Sequence, residues 1–248
     1  MIIVGDIGNT ETKILLINKN NRILKKIHLD TSMINSNTIK KSISTFNIKN
    51  NPIEKILFCS VVPKTFKIIK LILEKKYMLK CYELKNLNLS RLIKIKVNYK
   101  QIGSDRLANA ISIINNKDNF IVLDFGTATT FDVVIKNTYY GGVIAPGVKL
   151  SLETLTKKAT LIPNINLKKI TKVIGSNTIN AVRSGFFWGY AGLIDNIINL
   201  IKKETNKSFK IILTGGFSNL FKDSINRKIL QNREITINGL IKASKLIR

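Results

Sequence analysis

Two short segments of the chain share one pattern, and this repeat constrains the fold more than any other feature of the sequence. An apolar run ends in Asp-x-Gly followed by Asn or Thr at 3–10, and the same arrangement returns at 122–129. A second apolar run follows each copy at once, at 13–17 and 131–135. A strand that ends on an aspartate, turns at a glycine and returns as a strand is a hairpin with a polar tip. The repeat therefore predicts two related halves whose polar tips face one cleft.

The remaining pattern of elements predicts an α/β protein. Apolar segments with strand character come first in each half, and helical segments alternate with strands after them, an order typical of layered α/β folds. A polar segment at 115–119 lies directly before the second aspartate-glycine strand. We therefore predict two domains, an N-terminal half at 1–117 and a C-terminal half at 118–248.

Helices are predicted where apolar residues recur at the helical period. After Gly103, apolar residues return at intervals of three and four, which predicts a helix whose first turn is Ser-Asp-Arg. Further helices are predicted at 36–50 and 177–203. Near the C-terminus, the pattern predicts a short strand around Ile235 and then a helix from Gly239.

The chain is strongly basic, with a net charge of +26. Clustered lysine and arginine would indicate nucleic-acid binding, but the lysines are spread along the whole chain and no zinc-finger, basic-zipper or RNA-binding aromatic pattern occurs. We therefore expect no nucleic-acid partner, although the charge could attract anionic substrates. No apolar run reaches the roughly 18–20 residues that span a bilayer. Because the N-terminus also lacks a signal-peptide pattern, we expect no membrane association and a cytoplasmic protein.

The aspartates of the two repeated segments indicate cation chemistry. Asp6 and Asp124 are predicted at strand ends, where side chains reach the mouth of a sheet. A carboxylate beside a triphosphate repels it unless a cation lies between them, so the pair predicts Mg²⁺ or another cation. Gly8 and Gly126 let the backbone approach phosphate oxygens, and the amides that follow can bind an anion.

Asp105 is an acid of a different kind. It lies in the first turn of the predicted helix, beside Arg106. A helix N-terminus and a guanidinium both favour an ionised carboxylate. Such a carboxylate can orient a hydroxyl group and accept its proton. The alternative is an aspartate that caps the helix, with a surface arginine next to it.

Six motifs, spread over nearly the whole chain, together point to one family. They are Asp-Ile-Gly-Asn-Thr at 6–10, Gly-Ser-Asp-Arg at 103–106, Asp-Phe-Gly-Thr-Ala-Thr at 124–129, Gly-Gly-Val-Ile-Ala-Pro-Gly at 141–147, Gly-Ser-Asn-Thr at 175–178 and Thr-Gly-Gly at 214–216. In this set and order the chain resembles the type III pantothenate kinases. The repeated motif alone indicates only their superfamily, which includes acetate kinase, sugar kinases, Hsp70 and actin (the ASKHA superfamily). The motifs at 103–106 and 141–147 are what point to this family within the superfamily.

The resemblance implies an actin-like α/β fold of two similar ribonuclease-H-like halves, with the active site in the cleft between them. It implies ATP-dependent phosphorylation of the terminal hydroxyl of pantothenate, the first step of coenzyme A synthesis. The implied cofactors are ATP, Mg²⁺ and a monovalent cation, either potassium or ammonium. The family is also typically dimeric, and the small residues Ala181, Gly185 and Gly189 on one face of the long helix would suit a homodimer interface.

By the same resemblance, Asp105 is the proton acceptor and Asp124 binds the monovalent cation, while Asp6 lies on the Mg²⁺–phosphate side. Pantothenate is held by Gly103, Ser104, Asp105, Arg106 and Thr178. The ATP phosphates are contacted by Asp6, Ile7, Gly8, Asn9, Thr10, Glu11, Thr12, Lys13 and Thr127.

One position departs from the family pattern. A tyrosine often lies seven residues before the glycine of the Gly-x-Asp-Arg motif, and Lys96 takes that place here. Tyr99 is close but three positions away. Either pantothenate loses a contact or the charge of Lys96 replaces it.

Two other functions remain open from the sequence. One is a different kinase or a phosphohydrolase of the same superfamily, acting on a sugar or a polyphosphate. The other is a non-catalytic basic regulatory protein that binds nucleic acid. A pure binding protein would have no need for the three acids Asp6, Asp105 and Asp124, and their presence favours the kinase.

Overall fold

The computed structural model describes residues 1–46, 52–225 and 228–247. The chain forms two compact units. Unit 1 contains Met1–Ile114, Asn137–Tyr139 and Glu234–Arg248, and unit 2 contains Asn115–Lys136 and Tyr140–Arg233. In the described part of the chain, no helix is long and apolar enough to cross a membrane.

Strands and helices alternate along most of the chain. In order, the elements are β1 (Ile2–Ile7), β2 (Glu11–Ile17), β3 (Ile23–Asp30), α1 (Ser36–Ser44), β4 (Lys55–Ser60), α2 (Pro63–Tyr77), β5 (Cys81–Glu83), β6 (Lys94–Ile95), α3 (Ser104–Ile113), β7 (Asn119–Phe125), β8 (Ala128–Ile135), β9 (Thr138–Pro146), α4 (Val148–Lys158), α5 (Thr178–Thr205), β10 (Lys210–Gly215), α6 (Ser218–Phe221), β11 (Ile229–Gln231) and α7 (Ile235–Ala243).

Unit 1 is organised around a five-stranded sheet in the order β3-β2-β1-β4-β5. Strands β1, β2 and β3 form an antiparallel meander, and β4 and β5 run parallel to β1. In this register Asp6 is the partner of Lys13 on β2 and of Cys59 on β4. The central position of β1 thus places its aspartate between two neighbouring strands.

The core of unit 1 covers the central strands with isoleucine and phenylalanine side chains. Ile3, Ile7 and Ile14 are fully buried in one cluster with Phe58. The C-terminal helix α7 packs against α3, and a Cβ at Gly239 would overlap the backbone of Ala108. Glycine at this position lets the two helices approach closely, and α3 carries the Ser-Asp-Arg sequence in its first turn.

The second sheet has six strands in the order β11-β10-β7-β8-β9-β6. Within unit 2, β7 and β8 are antiparallel, and β10 runs parallel to β7 with Thr214 opposite Asp124. Strand β9 begins in unit 1, where Thr138 and Tyr139 pair with β6. The core of unit 2 includes Phe125, whose ring stacks on Phe221 with 5.2 Å between the centroids.

Most predicted elements are present, and the C-terminal segment is the main correction. The long helix is confirmed as α5 and the Ser-Asp-Arg helix as α3. The strand predicted near Ile235 is wrong, because Ile235 begins α7, four residues before the predicted helix start at Gly239. The alternation of Ile235 and Ile237 imitates a strand, but both side chains are buried in a helix that packs against α3 and also against β1 and β4. The helix predicted at 36–50 ends at Ser44, and its last four positions lie outside the described residues.

Candidate active site

The first hairpin joins β1 to β2 and exposes its tip. Gly8 donates its backbone N–H to the carbonyl oxygen of Glu11 at 3.0 Å, and the turn residues 9–10 are exposed. Asp6 lies near the end of β1, opposite Lys13. Unit 1 therefore contains the predicted hairpin with a polar tip.

Thr31 connects this tip to the end of β3 through hydrogen bonds, and no pattern in the sequence pointed to this residue. Its backbone N–H donates to the carbonyl oxygen of Thr10 at 2.9 Å, and its hydroxyl donates to that of Gly8 at 2.8 Å. The hydroxyl of Thr12 lies 2.9 Å from that of Thr31. Because a hydroxyl has one proton, Thr12 is the donor in this pair. Ile7 and Thr12 are fully buried, so their side chains support the hairpin from the interior of unit 1.

Two charged side chains of β2, Glu11 and Lys13, lie together with His28 of the neighbouring strand β3. Glu11 accepts a hydrogen bond from Nδ1 of His28 at 2.6 Å and forms an ion pair with Lys13 at 3.2 Å. Burial raises the pKa of Glu11, but the hydrogen bond with His28 and the charge of Lys13 outweigh it and leave the pKa below its usual value. Glu11 therefore stays ionised near neutral pH and restrains the ammonium group of Lys13 beside the turn.

Cys59 on β4 brings the two acids of unit 1 into one neighbourhood. Its thiol is fully buried and donates to Oδ1 of Asp6 at 3.4 Å. Burial raises the pKa of Cys59 far above its usual value, and the negative charges of Asp6, Asp105 and Glu83 raise it further. The thiol is therefore a permanent proton donor to Asp6, and Asp105 lies close enough to act on the same group.

The first turn of α3 presents Asp105. Gly103 is the N-cap residue of this helix, and a Cβ there would overlap Oδ1 of Asp105. That oxygen is buried and has no hydrogen-bond partner among the described residues. Buried polar atoms are nearly always satisfied, so an unpaired carboxylate oxygen marks a place for an external donor. Ser104, the residue before it, is 2 % exposed.

Lys96 and Tyr99, the two residues at the departure from the family pattern, lie in the segment between β6 and α3. Lys96 is exposed, and its backbone N–H donates to the carbonyl oxygen of Tyr139 at 3.0 Å. The hydroxyl of Tyr99 donates to the carbonyl oxygen of Lys85 at 2.8 Å, and the Lys85 ammonium lies 5.3 Å from the ring centre. Tyr99 is thus held by Lys85, and it lines a cavity of about 490 Å³ with Leu89 and neighbouring residues.

The second hairpin joins β7 to β8 in unit 2. Gly126 donates its backbone N–H to the carbonyl oxygen of Ala128 at 3.0 Å, the counterpart of the Gly8 bond in the first hairpin. Thr127 at the tip is exposed. Asp124 faces Gly215, whose φ of +84° and close contact with the carboxylate both require glycine. In unit 2 the Asp124 carboxylate therefore lies directly against the backbone of Gly215.

Thr178 is the first residue of α5 in unit 2, and its side chain is exposed. The preceding Asn177 caps the helix by accepting a hydrogen bond from the backbone N–H of Asn180 at 2.9 Å. A Cβ at Gly175 would overlap the backbone of Ala181, so the loop before the helix folds closely onto its first turn. This local geometry fixes where Thr178 begins the helix.

The described residues contain no group of three or more His, Cys, Asp or Glu side chains that could hold a metal ion. Asp6 and Asp124 each offer carboxylate oxygens, the donor type that hard cations such as Mg²⁺ prefer. A cation at either position would therefore complete its coordination with backbone oxygens, water or phosphate oxygens.

Comparison with known proteins agrees with the motifs. The model of the type III pantothenate kinase family matches residues 2–200. A type III pantothenate kinase of Pelagibacter ubique is 70% identical over 248 residues, which is the full length of both chains. Another, from a Sulfurihydrogenibium species, is 34% identical and covers 97% of this chain and 98% of its own.

Solved structures show the same fold at low identity. A protein described as a Baf family transcriptional activator from Campylobacter jejuni has a TM-score of 0.65 at 19% identity and covers 98% of this chain and 97% of its own. A ROK family glucokinase from Streptomyces griseus, in complex with glucose and AMPPNP, has a TM-score of 0.56 at 13% identity and covers 99% and 98%. The two-sheet α/β fold is therefore that of the sugar-kinase and actin-like class, as predicted. Because the family model matches most of this chain and a full-length relative is 70% identical to it, the chain belongs to the type III pantothenate kinases.

Proposed function

We propose that the chain transfers the γ-phosphoryl group of ATP to the terminal hydroxyl of pantothenate, the reaction that begins coenzyme A synthesis. Membership of the type III pantothenate kinases supports the reaction. The observation that carries the assignment of residues is the buried, unpaired Oδ1 of Asp105 at the start of α3, near Cys59 and Asp6.

In this proposal Asp105 is the base. Its unpaired oxygen accepts the proton of the pantothenate hydroxyl as the oxygen attacks phosphorus, and general-base help of this kind is worth roughly 10²–10⁴-fold. Arg106 pairs with the carboxylate of pantothenate, since a guanidinium binds a carboxylate through two parallel hydrogen bonds. Gly103, Thr178 and the backbone of Ser104 contact the rest of the substrate, and Lys96 supplies a charge in place of the usual tyrosine.

In this proposal the two hairpins bind the phosphates of ATP. Backbone amides and exposed side chains of the turn at 8–10, together with Lys13, contact the phosphates, while Ile7 and Thr12 support the turn from the interior. Glu11 restrains Lys13 through their ion pair. Thr127 contributes a hydroxyl from the second hairpin. This division agrees with phosphoryl transfer, in which positioning and charge neutralisation supply most of the catalysis.

Two cations complete the proposal. Asp6 would lie on the side of Mg²⁺, with the other ligands coming from phosphates and water, and Asp124 would hold potassium or ammonium. Such cations would neutralise phosphate charge, which this chain needs because it has no Gly-x-x-x-x-Gly-Lys phosphate loop. The chain's own residues orient the hydroxyl and accept its proton.

We also propose a homodimer formed through α5. Ala181, Gly185 and Gly189 are exposed along one face of this helix. A Cβ built at Gly185 or Gly189 would meet no atom of the described residues within 4 Å, and Trp188 beside them is 38% exposed. Small residues let a second helix approach closely, and the half-exposed tryptophan would be covered by it. Sedimentation of the purified protein tests the stoichiometry.

A coupled assay tests the reaction and its cations together. Purified protein is incubated with ATP, Mg²⁺ and pantothenate, with and without potassium, and phosphopantothenate is measured alongside ADP. We expect product formation that requires Mg²⁺ and is stimulated by potassium. Formation of ADP with a sugar or polyphosphate in the same assay, and none with pantothenate, would assign the chain to another kinase of the superfamily.

A further inference from the structure

Glu83, which lies outside every motif of the sequence analysis, is connected to the start of the candidate catalytic helix. It is the last residue of β5. Its Oε1 accepts a hydrogen bond from the hydroxyl of Ser104, the first residue of α3. Its Oε2 accepts from the backbone N–H of Lys85 at 2.7 Å, and the carboxylate also accepts from the backbone N–H of Ser60 on β4. One carboxylate therefore joins α3 to two parallel strands.

The connection matters because the N-terminus of α3 has no cap of its own: the N-cap Gly103 has no side chain, and no side-chain cap is present at this helix among the described residues. The Ser104 hydroxyl is directed to Glu83, and Ser104 is 2 % exposed. A hydroxyl bound to a carboxylate makes one of the stronger hydrogen bonds in proteins. The bond thus anchors the residue directly before Asp105.

We propose that Glu83 is a positioning residue for the reaction: through Ser104 it holds the first turn of α3, and with it the Asp105 carboxylate, in the orientation that phosphoryl transfer needs. This inference rests on the proposed role of Asp105. Glu83 itself need not touch either substrate. Its position on β5 makes the sheet of unit 1 the rigid support of the catalytic turn.

The surroundings of Glu83 agree with a structural carboxylate held in place by donors. Burial raises its pKa, and the hydrogen bonds from Ser104, Lys85 and Ser60 oppose that rise. Its negative charge also acts on the buried thiol of Cys59, as do the charges of Asp6 and Asp105. The four groups therefore belong to one small region of unit 1, and a change at Glu83 can reach Asp105 over a short distance.

A double-mutant cycle tests the coupling. Glu83→Gln replaces one carboxylate oxygen by an amide NH₂ group, which cannot accept a hydrogen bond. Ser104→Ala removes the hydroxyl group that donates to Glu83. We expect each change to lower kcat by about tenfold to a hundredfold, because a displacement of about 1 Å can cost this much. The KM for ATP should stay within about twofold, since the phosphate hairpin is untouched. In the double variant the two losses should not multiply, because they remove the same connection.

Glu74→Gln is the matched control. Glu74 accepts a hydrogen bond from the backbone N–H of Cys81 at 2.9 Å, at the other end of β5. It therefore supports the same strand from α2, through a hydrogen bond to β5. We expect Glu74→Gln to keep the kcat of the unmodified protein. An unchanged kcat in Glu83→Gln, an equal loss in Glu74→Gln, or losses that multiply in the double variant would each overturn the proposal.

A second measurement separates this inference from the proposed reaction. Amide hydrogen exchange at Leu107 and the next turn of α3 reports the anchoring of the helix without any substrate. We expect faster exchange in Glu83→Gln and no change in Glu74→Gln, and equal exchange in all three proteins would refute the anchoring. If the unmodified protein makes no phosphopantothenate, the proposed reaction fails, and the exchange result still decides whether Glu83 holds the turn.

Discussion

The two aspartate-glycine hairpins share a sequence pattern and a strand geometry, yet they are supported in different ways. The tip of the first hairpin spans 8–10 and is held by hydrogen bonds to Thr31. The tip of the second spans 126–127 and lies against the backbone at Gly147. Asp6 receives a thiol hydrogen bond, whereas Asp124 is framed by Gly215. A duplicated motif has thus acquired two environments, and we expect two different chemistries from it.

The largest effect should come from the acid that belongs to neither hairpin. If both hairpins handle the nucleotide, Asp105→Asn should lower kcat by roughly 10²–10⁴-fold, since the amide cannot accept the hydroxyl proton. Nucleotide affinity, measured by calorimetry, and the thermal midpoint should stay close to those of the unmodified protein. A near-normal kcat would show that Asp105 is not the general base, and the roles proposed for both hairpins would then have to be revised.

The next effect distinguishes the two hairpin acids by their ions. Asp124→Asn should abolish the stimulation by potassium, so that rates with and without the ion become equal. Asp6→Asn should raise the Mg²⁺ concentration needed for half-maximal rate by about tenfold, the loss of roughly 1.4 kcal/mol of binding, and should keep the potassium stimulation. Titration of each ion at a fixed level of the other measures both effects. The division of roles is wrong if both variants lose their response to the same ion.

Stability should also differ between glycines near the second tip. A Cβ at Gly147 would overlap the carbonyl of Thr127, whereas a Cβ at Gly126 would make only ordinary contacts, the nearest atom being the Ala128 carbonyl oxygen at 3.6 Å. Gly147→Ala should therefore cost about 1–3 kcal/mol in the free energy of unfolding, and Gly126→Ala should stay within about 0.5 kcal/mol. Urea unfolding of both variants provides the measurement. Equal losses would show that the second tip is not held by backbone packing.

The support of the first tip is tested at Thr31. Thr31→Val removes a hydroxyl that bonds Gly8 and Thr12, and the buried partners left unsatisfied should cost about 1–2 kcal/mol of unfolding free energy. Thr154→Val is the control, because its hydroxyl bonds only the preceding turn of α4 on an exposed face. A thermal melt that shows no difference between the two variants would remove Thr31 from the support of the hairpin.

The smallest effect concerns the pH dependence of the first hairpin. Interactions with His28 and Lys13 lower the pKa of Glu11 in the folded protein. Ionised Glu11 therefore stabilises the fold above its unfolded pKa, and this stabilisation is lost as pH falls through the lowered folded value. The exposed pair is worth no more than about 1 kcal/mol. The melting temperature should decrease less between neutral and acid pH in Glu11→Gln than in the unmodified protein. An equal decrease in the two proteins would contradict the ion pair.

The motifs led to the hairpins and to the helix start that carry the candidate acids, whereas the periodicity assigned one element wrongly. Asp6, Asp105 and Asp124 were found from residue type and spacing, because a strand end or a helix start leaves a local pattern. Thr31 and Glu83 were not found, because each acts on a partner far away in sequence, 21 residues away between Glu83 and Ser104. The strand predicted at Ile235 failed for a related reason, since two isoleucines at a spacing of two also suit a helix that is buried on more than one side.

Short local patterns were enough to identify the family, the two hairpins and the aspartates near their strand ends, because such patterns do not depend on distant contacts. The groups that support each acid became visible only in the folded chain. The thiol of Cys59 beside Asp6, the anchoring of α3 by Glu83 and the glycine frame of Asp124 all join segments that are far apart along the chain. Such contacts depend on how strands are ordered and how closely backbones approach, and side-chain periodicity carries no record of either.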